Sequence, residues 1–276
     1  MFRCFYQSGL TGEIIDFTKI PFRMLKPNDL FNYEWNYSTG KSNENIAKTY
    51  RKKISSKKIE IVISAGTNQE CIDSLNYLLS VLETDVTSKI SGKLYINGTY
   101  IRCYFMSCTK AVYHPKINFF VKEFEIILES AWIKETPYSF ESKTLSLSNV
   151  KKYAYKYPYR YSISAGENFI ENSHYADRNF KLRIYGPCVN PHIIIGTHRY
   201  QVWTILTAGE WLEIDSIHNK VYKVMVNGTK VSLFNERDKL SSVFEKIPPG
   251  RQRVAAPGTF NFDLVLYEER SEPEWN

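Results

Sequence analysis

Apolar residues recur along this chain at two different spacings. Cys71, Leu75, Leu78, Leu79 and Leu82 fall at i, i+4, i+7, i+8 and i+11, which is one face of a helix. Thr67 and Glu70 stand just ahead at capping-box spacing, so the pattern predicts a helix over about Asn68–Glu83. Elsewhere the period is two. Lys58–Ser64 alternates as a strand, and Phe119–Leu128 supplies another with Phe120, Phe124 and Ile126 apolar. Between them, Gly92–Tyr104 reads as two strands about Asn97-Gly98, the dipeptide that best tolerates the positive φ angles of a tight hairpin turn.

The periodicity breaks down over Ser130–Tyr161. Pro137 and Pro158 interrupt it, and Tyr153, Tyr155, Tyr157, Tyr159 and Tyr161 alternate with Lys, Ala, Pro and Arg. A domain junction is expected at about 130–160, separating domains of residues 1–136 and 137–276. Beyond it the chain reads as all-β, with short strands at sandwich spacing: Phe180–Tyr185, His192–Gly196, Tyr200–Leu206, Glu210–Asp215, Lys220–Val226, Thr229–Phe234 and Phe260–Tyr267. Gly186-Pro187, Ala208-Gly209, His218-Asn219, Asn227-Gly228 and Pro248-Pro249-Gly250 mark the turns. The expected fold class is mainly β, with two β-sandwich-like domains, the first carrying one amphipathic helix.

Composition narrows the class. The 276 residues are 43% hydrophobic and 24% charged, an ordinary globular balance that excludes disordered and collagenous chains. Aromatic content is high at 15%, with 20 Tyr, which suits half-buried pleated surfaces. No apolar run reaches the roughly 18 residues of a membrane helix, and Arg3, Gln7 and Glu13 interrupt any export-signal core; a soluble, non-membrane chain is expected. Five Cys at 4, 71, 103, 108 and 188 then read as reduced thiols. The net charge of +7 is shared evenly, 18 cationic against 14 acidic residues up to Glu135 and 18 against 15 after it, so neither half is a basic nucleic-acid module. The local run Arg51–Lys58 reads first as a solvated strand edge.

Candidate chemistry is sparse. Cys103 and Cys108 lie five apart, which puts them on opposite faces of a strand, and no CxxC or HxxxH accompanies them; no metal or cofactor is expected. Neither a GxSxG elbow nor a phosphate loop is present. Glu210, Glu213 or Asp215 could stand opposite another acid as a glycosidase requires, but Glu213 and Asp215, on alternate positions, describe the polar face of a strand more simply. No catalytic residue is assigned, and the chain is not expected to be an enzyme. The tyrosines 155, 157 and 159 admit an aromatic binding platform for sugar rings or bases, or packing at the junction.

Four strings, taken in order, resemble the distal tail protein family of long-tailed, siphovirus-like bacteriophages or prophages. They are Lys181–Ile193, Leu206–Asp215, Val221–Asn227 and Phe244–Val254, and the helix followed by Gly92–Gly98 and Cys103-Tyr104 agrees with them. The resemblance implies an N-terminal ring-forming domain and a galectin-like C-terminal sandwich. It also implies a structural role at the virion tail tip, for a protein made in the host cytoplasm. A homo-hexameric hub would join the tail tube protein to baseplate, tail-tip and receptor-binding proteins, with DNA passing through the ring without specific binding. The alternative is a stand-alone carbohydrate-binding or adhesion sandwich.

A ring requires head-to-tail contacts, and an exposed strand edge can supply them. The segment Arg51–Ile63, basic at its start and β-forming at its end, is the expected edge or arm, with Lys52, Lys53, Lys57 and Lys58 as intersubunit candidates. Basic side chains should avoid the bore, because phosphate-neutralising surfaces bind DNA. Replacing Lys52, Lys53, Lys57 and Lys58 together by Glu should shift a ring toward smaller species in light scattering; an unchanged mass removes this role.

Overall fold

The computed structural model describes residues 3–25, 28–40, 43–52, 55–114, 118–129, 131–142 and 168–273. The described residues are mainly β with one α-helix, and the chain divides into two units, Met1–Lys134 with Glu269–Asn276, and Glu135–Glu268.

The first unit opens with short strands β1 (Cys4–Gln7), β2 (Ile14–Asp16), β3 (Thr18–Lys19) and β4 (Phe22–Met24), too short to show alternation in sequence. Then come β5 (Trp35–Gly40), β6 (Asn43–Lys52), β7 (Ser55–Ser64), helix α1 (Asn68–Ser88), β8 (Gly92–Ile96), β9 (Thr99–His114), β10 (Phe119–Leu128) and β11 (Trp132–Phe140), the last crossing into the second unit. Strands run in the order β9-β10-β7-β4-β3, while the start of β9 also pairs with β8, β8 with β1 and β1 with β2. The β5–β6 ribbon forms a sheet of its own. The Asn97-Gly98 turn adopts positive φ at both residues, 49° and 84°, as a primed turn requires.

Helix α1 starts as its sequence dictates. Thr67 Oγ1 accepts the Glu70 amide at 3.2 Å and Glu70 Oε2 accepts the Thr67 amide at 3.1 Å, closing the capping box. Cys71, Leu78 and Leu82 are buried, with Leu75 and Leu79 packed beside them, against Ile59, Ile61 and Ile63 of β7 and Phe105 of β9. The helix runs to Ser88, past the expected end at Glu83. The reason is Asp85, a carboxylate on the buried side of the helix that ends the apolar pattern without ending the helix.

Asp85 has no exposed surface and accepts four hydrogen bonds: from Tyr6 Oη at 2.6 Å, Ser8 Oγ at 2.7 Å, and the amides of Gly9 and Leu10 at 3.0 and 3.1 Å. A buried charge left unpaired is costly, so these donors bind the N-terminal segment to the helix. Burial first, and donation to Asp85 second, push the Tyr6 phenol well above its ordinary range, so it stays a donor. Gly92 makes the approach possible: a Cβ there would stand 2.0 Å from Tyr6 Oη.

In the second unit, β12 (Asn168–Asn172), β13 (Asn179–Tyr185), β14 (Cys188–Val189), β15 (His192–Ile195), β16 (His198–Gln201), β17 (Ile205–Leu206), β18 (Trp211–Asp215), β19 (Lys220–Val224), β20 (Lys230–Ser232), β21 (Gly250–Ala255) and β22 (Phe262–Arg270) follow. Two antiparallel sheets, β20-β19-β18-β13-β22 and β12-β21-β15-β16, close over one core. Phe180, Leu182, Ile214 and Leu264 come from the first sheet, and Ile170, Ile193, Tyr200 and Val254 from the second. The single strand expected over Tyr200–Leu206 is broken into β16 and β17, because Val202 and Trp203 leave the sheet to bond with Arg237 and Glu236. The last strand closes the sandwich against β13, and the chain from Glu269 onward belongs to the first unit.

Asp85→Ala should lower the stability of the first unit by about 3 kcal/mol in urea denaturation, the range for stranding buried donors. Gly92→Ala should destabilise in the same direction by displacing Tyr6 from Asp85. A variant of either kind with an unchanged midpoint contradicts the anchoring role.

Candidate assembly surfaces

The expected intersubunit lysines separate onto different elements. Lys52 ends β6, in register with Trp35 of β5. Lys53 lies outside the described residues. Lys57 and Lys58 sit on β7, Lys57 half-buried and Lys58 exposed. Lys58 Nζ stands 3.1 Å from Glu123 Oε1 of β10, so its charge is already offset within the chain. Beside it, hydroxyls of Ser56 and Ser107 donate to Glu125 and hold that carboxyl below its ordinary range. Strand β7 pairs with β10 along its whole length and with β4 only at Ile61–Ile63, which leaves one side of Ser55–Ile59 without a strand neighbour among the described residues. Tyr155, Tyr157 and Tyr159 lie outside the described residues.

Two features of the first unit escaped the sequence reading. One is an aromatic series at the start of the β5–β6 ribbon: Tyr33 just ahead of β5, then Trp35 and Tyr37 on it, two residues apart and 53%, 48% and 68% exposed. Their spacing was visible in sequence, but exposure depends on whether another layer covers that face. The other is the outer face of α1. Glu70, Asp73 and Glu83 are exposed there, and no Lys or Arg lies between Asn68 and Ser88. Tyr77 stands on the same face, donating to Glu13 Oε1 at 2.6 Å with its ring stacked on Phe22.

In the second unit, Val189 of β14 and Ile205 of β17 are cross-strand neighbours and both exposed. Exposed Trp203 follows Val202, and its amide donates to Glu236 at the end of the turn that begins with exposed Phe234. These side chains give the unit a partly apolar rim.

Of the acids singled out in sequence, Glu210 and Glu213 are held by cations and Asp215 by a turn. Glu210 Oε2 is 2.8 Å from Lys223 Nζ and 2.7 Å from the Thr207 amide, contacts that bring its carboxyl down to about 2. Glu213 meets Lys181 at 3.0 Å and Arg183 at 2.9 Å, across the β13–β18 pair. Burial raises the Glu213 carboxyl, but the two cations outweigh it and leave it below its ordinary value. Asp215 caps the following turn through the Ile217 and His218 amides, with His218 Nδ1 at 2.8 Å. Acid catalysis of glycoside cleavage needs a carboxyl held high; all three shift the other way. Cys103 is buried and Cys108 exposed, but not because they lie on opposite faces: a β-bulge between them in β9 sets them opposite Leu128 and Phe124 of β10, four apart on that strand, so the two cysteines share a sheet face. Burial pushes the Cys4 thiol up to about 12, and none of the five cysteines forms a disulfide. No group of His, Cys, Asp and Glu among the described residues could hold a metal ion, and no helix among them is long and apolar enough to cross a membrane.

No protein-family model matches this sequence, and no curated protein matches it. Solved structures do. A chain of the phage P2 baseplate in its activated conformation with Ca is similar at 12% identity and a TM-score of 0.65, covering 99% of this chain and 100% of that one. The same baseplate with Sr gives 12% identity and a TM-score of 0.64 over 99% and 100%. The SPP1 Dit protein (gp 19.1), described as a paradigm of the hub adsorption apparatus in phages infecting Gram-positive hosts, gives 12% identity and a TM-score of 0.54 over 98% and 99%. At such identity the likeness is one of fold.

Because the Glu210 carboxyl is depressed from 4.5 to about 2 in the folded chain, its contribution is full above pH 4.5 and is lost as pH falls toward 2. Glu213 and Asp215 act with the same sign. The stability gap between the native chain and Glu210→Gln, read from urea midpoints, should therefore be widest above pH 4.5 and close toward pH 2; a gap independent of pH contradicts the assignment.

Proposed function

We propose that this chain is a structural component of a phage or prophage tail tip, a hexameric hub joining the tail tube to baseplate and receptor-binding proteins. The observation that carries the reading is the extent of the fold likeness. It runs through both units and nearly end to end in the baseplate and hub proteins alike, where a likeness confined to one sandwich would describe only a common β module.

The surfaces support the same reading. A closed ring is built from heterologous contacts, one patch of each copy meeting a different patch of the next. The first unit offers such unlike patches, an aromatic ribbon, a partly open β7 side and an acidic helix face. The second unit, galectin-like in this reading, presents the rim of Val189, Trp203 and Ile205 for neighbouring tip proteins. Interaction surfaces of this sort combine aromatic and aliphatic anchors with a polar surround. The role asks no chemistry of the chain. The bore of such a ring would pass DNA without binding it, with the excess of Lys and Arg turned outward or between subunits.

Negative-stain images of the purified protein should show rings with sixfold symmetry, and a purified tail tube should be capped by them. Only monomers or two-fold dimers, at every concentration up to the solubility limit and with tubes present, would overturn the reading. Saturable glycan binding by a monomer would favour the adhesion module instead.

A further inference from the structure

We infer that the outer face of the sheet β12-β21-β15-β16 is a docking surface for an acidic segment of another tail-tip protein, received on Arg199, Arg251 and Arg253. This inference rests on the tail-tip reading above and adds a further surface and the chemistry of its partner.

Strand alternation decides which side chains share that face. In β21, Val254 lies in the core, so Arg251, Arg253 and Ala255 point outward, and all three are exposed. In β15, Ile193 and Ile195 are buried while Ile194 faces out; in β16, Tyr200 is buried and Arg199 exposed. The register sets Phe169 of β12 opposite Arg253, and lines up Ala255, Ile194 and Arg199 across three strands. The face therefore carries three guanidinium groups around a small apolar centre of Ile194 and Ala255.

Charge selects the partner. The four strands hold three Arg, no Lys and a single acid, Glu171. On the other sheet of the same sandwich, Lys181 and Arg183 are matched by Glu213 and Lys223 by Glu210. Arg199 and Arg251 are in no ion pair among the described residues, so an incoming carboxylate meets cations that are not already neutralised. The field of Arg199 is felt within the sheet: burial first, and that charge second, push the His192 imidazole below its ordinary range.

The composition favours a protein over an anionic polymer. Arginine presents a planar fork that holds a carboxylate by two parallel hydrogen bonds, and interfaces between proteins are enriched in Arg and aromatic residues and depleted in Lys. A phosphate polymer needs only cations, whereas Ile194, Ala255 and Phe169 also offer anchorage to apolar side chains. Arg251 is ordered in advance, its guanidinium lying 3.8 Å from the Phe169 ring, which lowers the entropy cost of binding.

The edges of the sheet direct the partner to its face. On β12 the Tyr138 hydroxyl donates to the Glu171 carbonyl at 3.0 Å and accepts from the Glu171 amide at 3.2 Å. On β16 the Arg199 carbonyl accepts from Ser241 Oγ and the Gln201 carbonyl from the Asp238 amide. Strand addition is obstructed at both edges, and side-chain recognition on the face is left.

The test uses the full chain, with circular dichroism to verify folding, and a fluorescent peptide alternating Glu and Leu as the probe, followed by anisotropy. Native chain should bind the peptide saturably at low salt. Arg251→Glu with Arg253→Glu should weaken binding by about tenfold or more, whereas Lys220→Glu with Lys230→Glu on the other sheet, an equal change of net charge, should leave it unchanged. Ile194→Ser should weaken binding at low and high salt alike, because its contribution is apolar. Native chain that does not bind the peptide, or two double variants that bind it equally well, overturns the docking face. Inorganic polyphosphate bound more tightly than the peptide makes the partner a phosphate polymer and overturns the assignment to a protein. Rings and capped tubes are scored on the same samples: rings that form without peptide binding overturn this inference alone, and native chain that neither forms rings nor caps tubes overturns the hub reading and this inference with it.

Discussion

A carboxylate sealed from water at the C-terminal end of a helix constrains the whole first unit. Asp85 is satisfied only by donors that lie far away in sequence, Tyr6, Ser8, Gly9 and Leu10, so the helix can bury this charge only if the N-terminal segment folds over it. Tyr6 belongs to β1, β1 pairs with β8, and β8 leads through Asn97-Gly98 into β9. One ion thus ties together the helix, the first strand and the central hairpin. An arrangement that lost two of the four donors would leave a half-satisfied charge, which is worse than none. In the hub role proposed above, this rigidity would hold the assembly patches at a fixed angle.

The second unit is organised differently. Its core is almost wholly aliphatic and aromatic, packed between two antiparallel sheets, and its buried carboxylates are matched by cations that reach toward solvent, as Lys181 and Arg183 do to Glu213. In Arg178 with Glu268, near the end of β22, both partners are buried. Arg178 also exchanges backbone hydrogen bonds with Ile247, so the pair fixes the point at which the chain leaves the sandwich. A sandwich stabilised this way leaves its loops and short ribbons free to vary, and the exposed Val189, Trp203 and Ile205 all sit on such elements.

Legibility followed element length and the kind of interaction involved. Helix α1 was readable from Thr67 onward because its cap is local and its apolar stripe regular, and the reading stopped at Glu83 because Asp85 occupies a buried position with a polar residue. The Asn97-Gly98 hairpin was readable because its turn conformation is a property of two residues. Strands of two to four residues, β1 to β4, offered no alternation to detect. Trp132–Phe140 was taken into an irregular junction because Pro137 lies in it, yet it forms β11; proline is compatible with a strand where no ladder hydrogen bond is required of its nitrogen. The candidate site fared less well. Lys58 opens an alternating segment that is legible as a strand, but its pairing with Glu123 depends on β10 lying beside β7, 65 residues apart in sequence.

Sequence alone determined the class of fold, the position of the one helix, its cap, its apolar face and the sharpest turn, since each depends on residues within one or two turns of each other. Only the tertiary structure decided which aromatic residues stay exposed, which lysines are already paired, and why an aspartate can lie in a core. Those outcomes depend on which distant strand comes to rest beside each side chain, and burial and electrostatic partnership belong to that neighbour as much as to the residue itself.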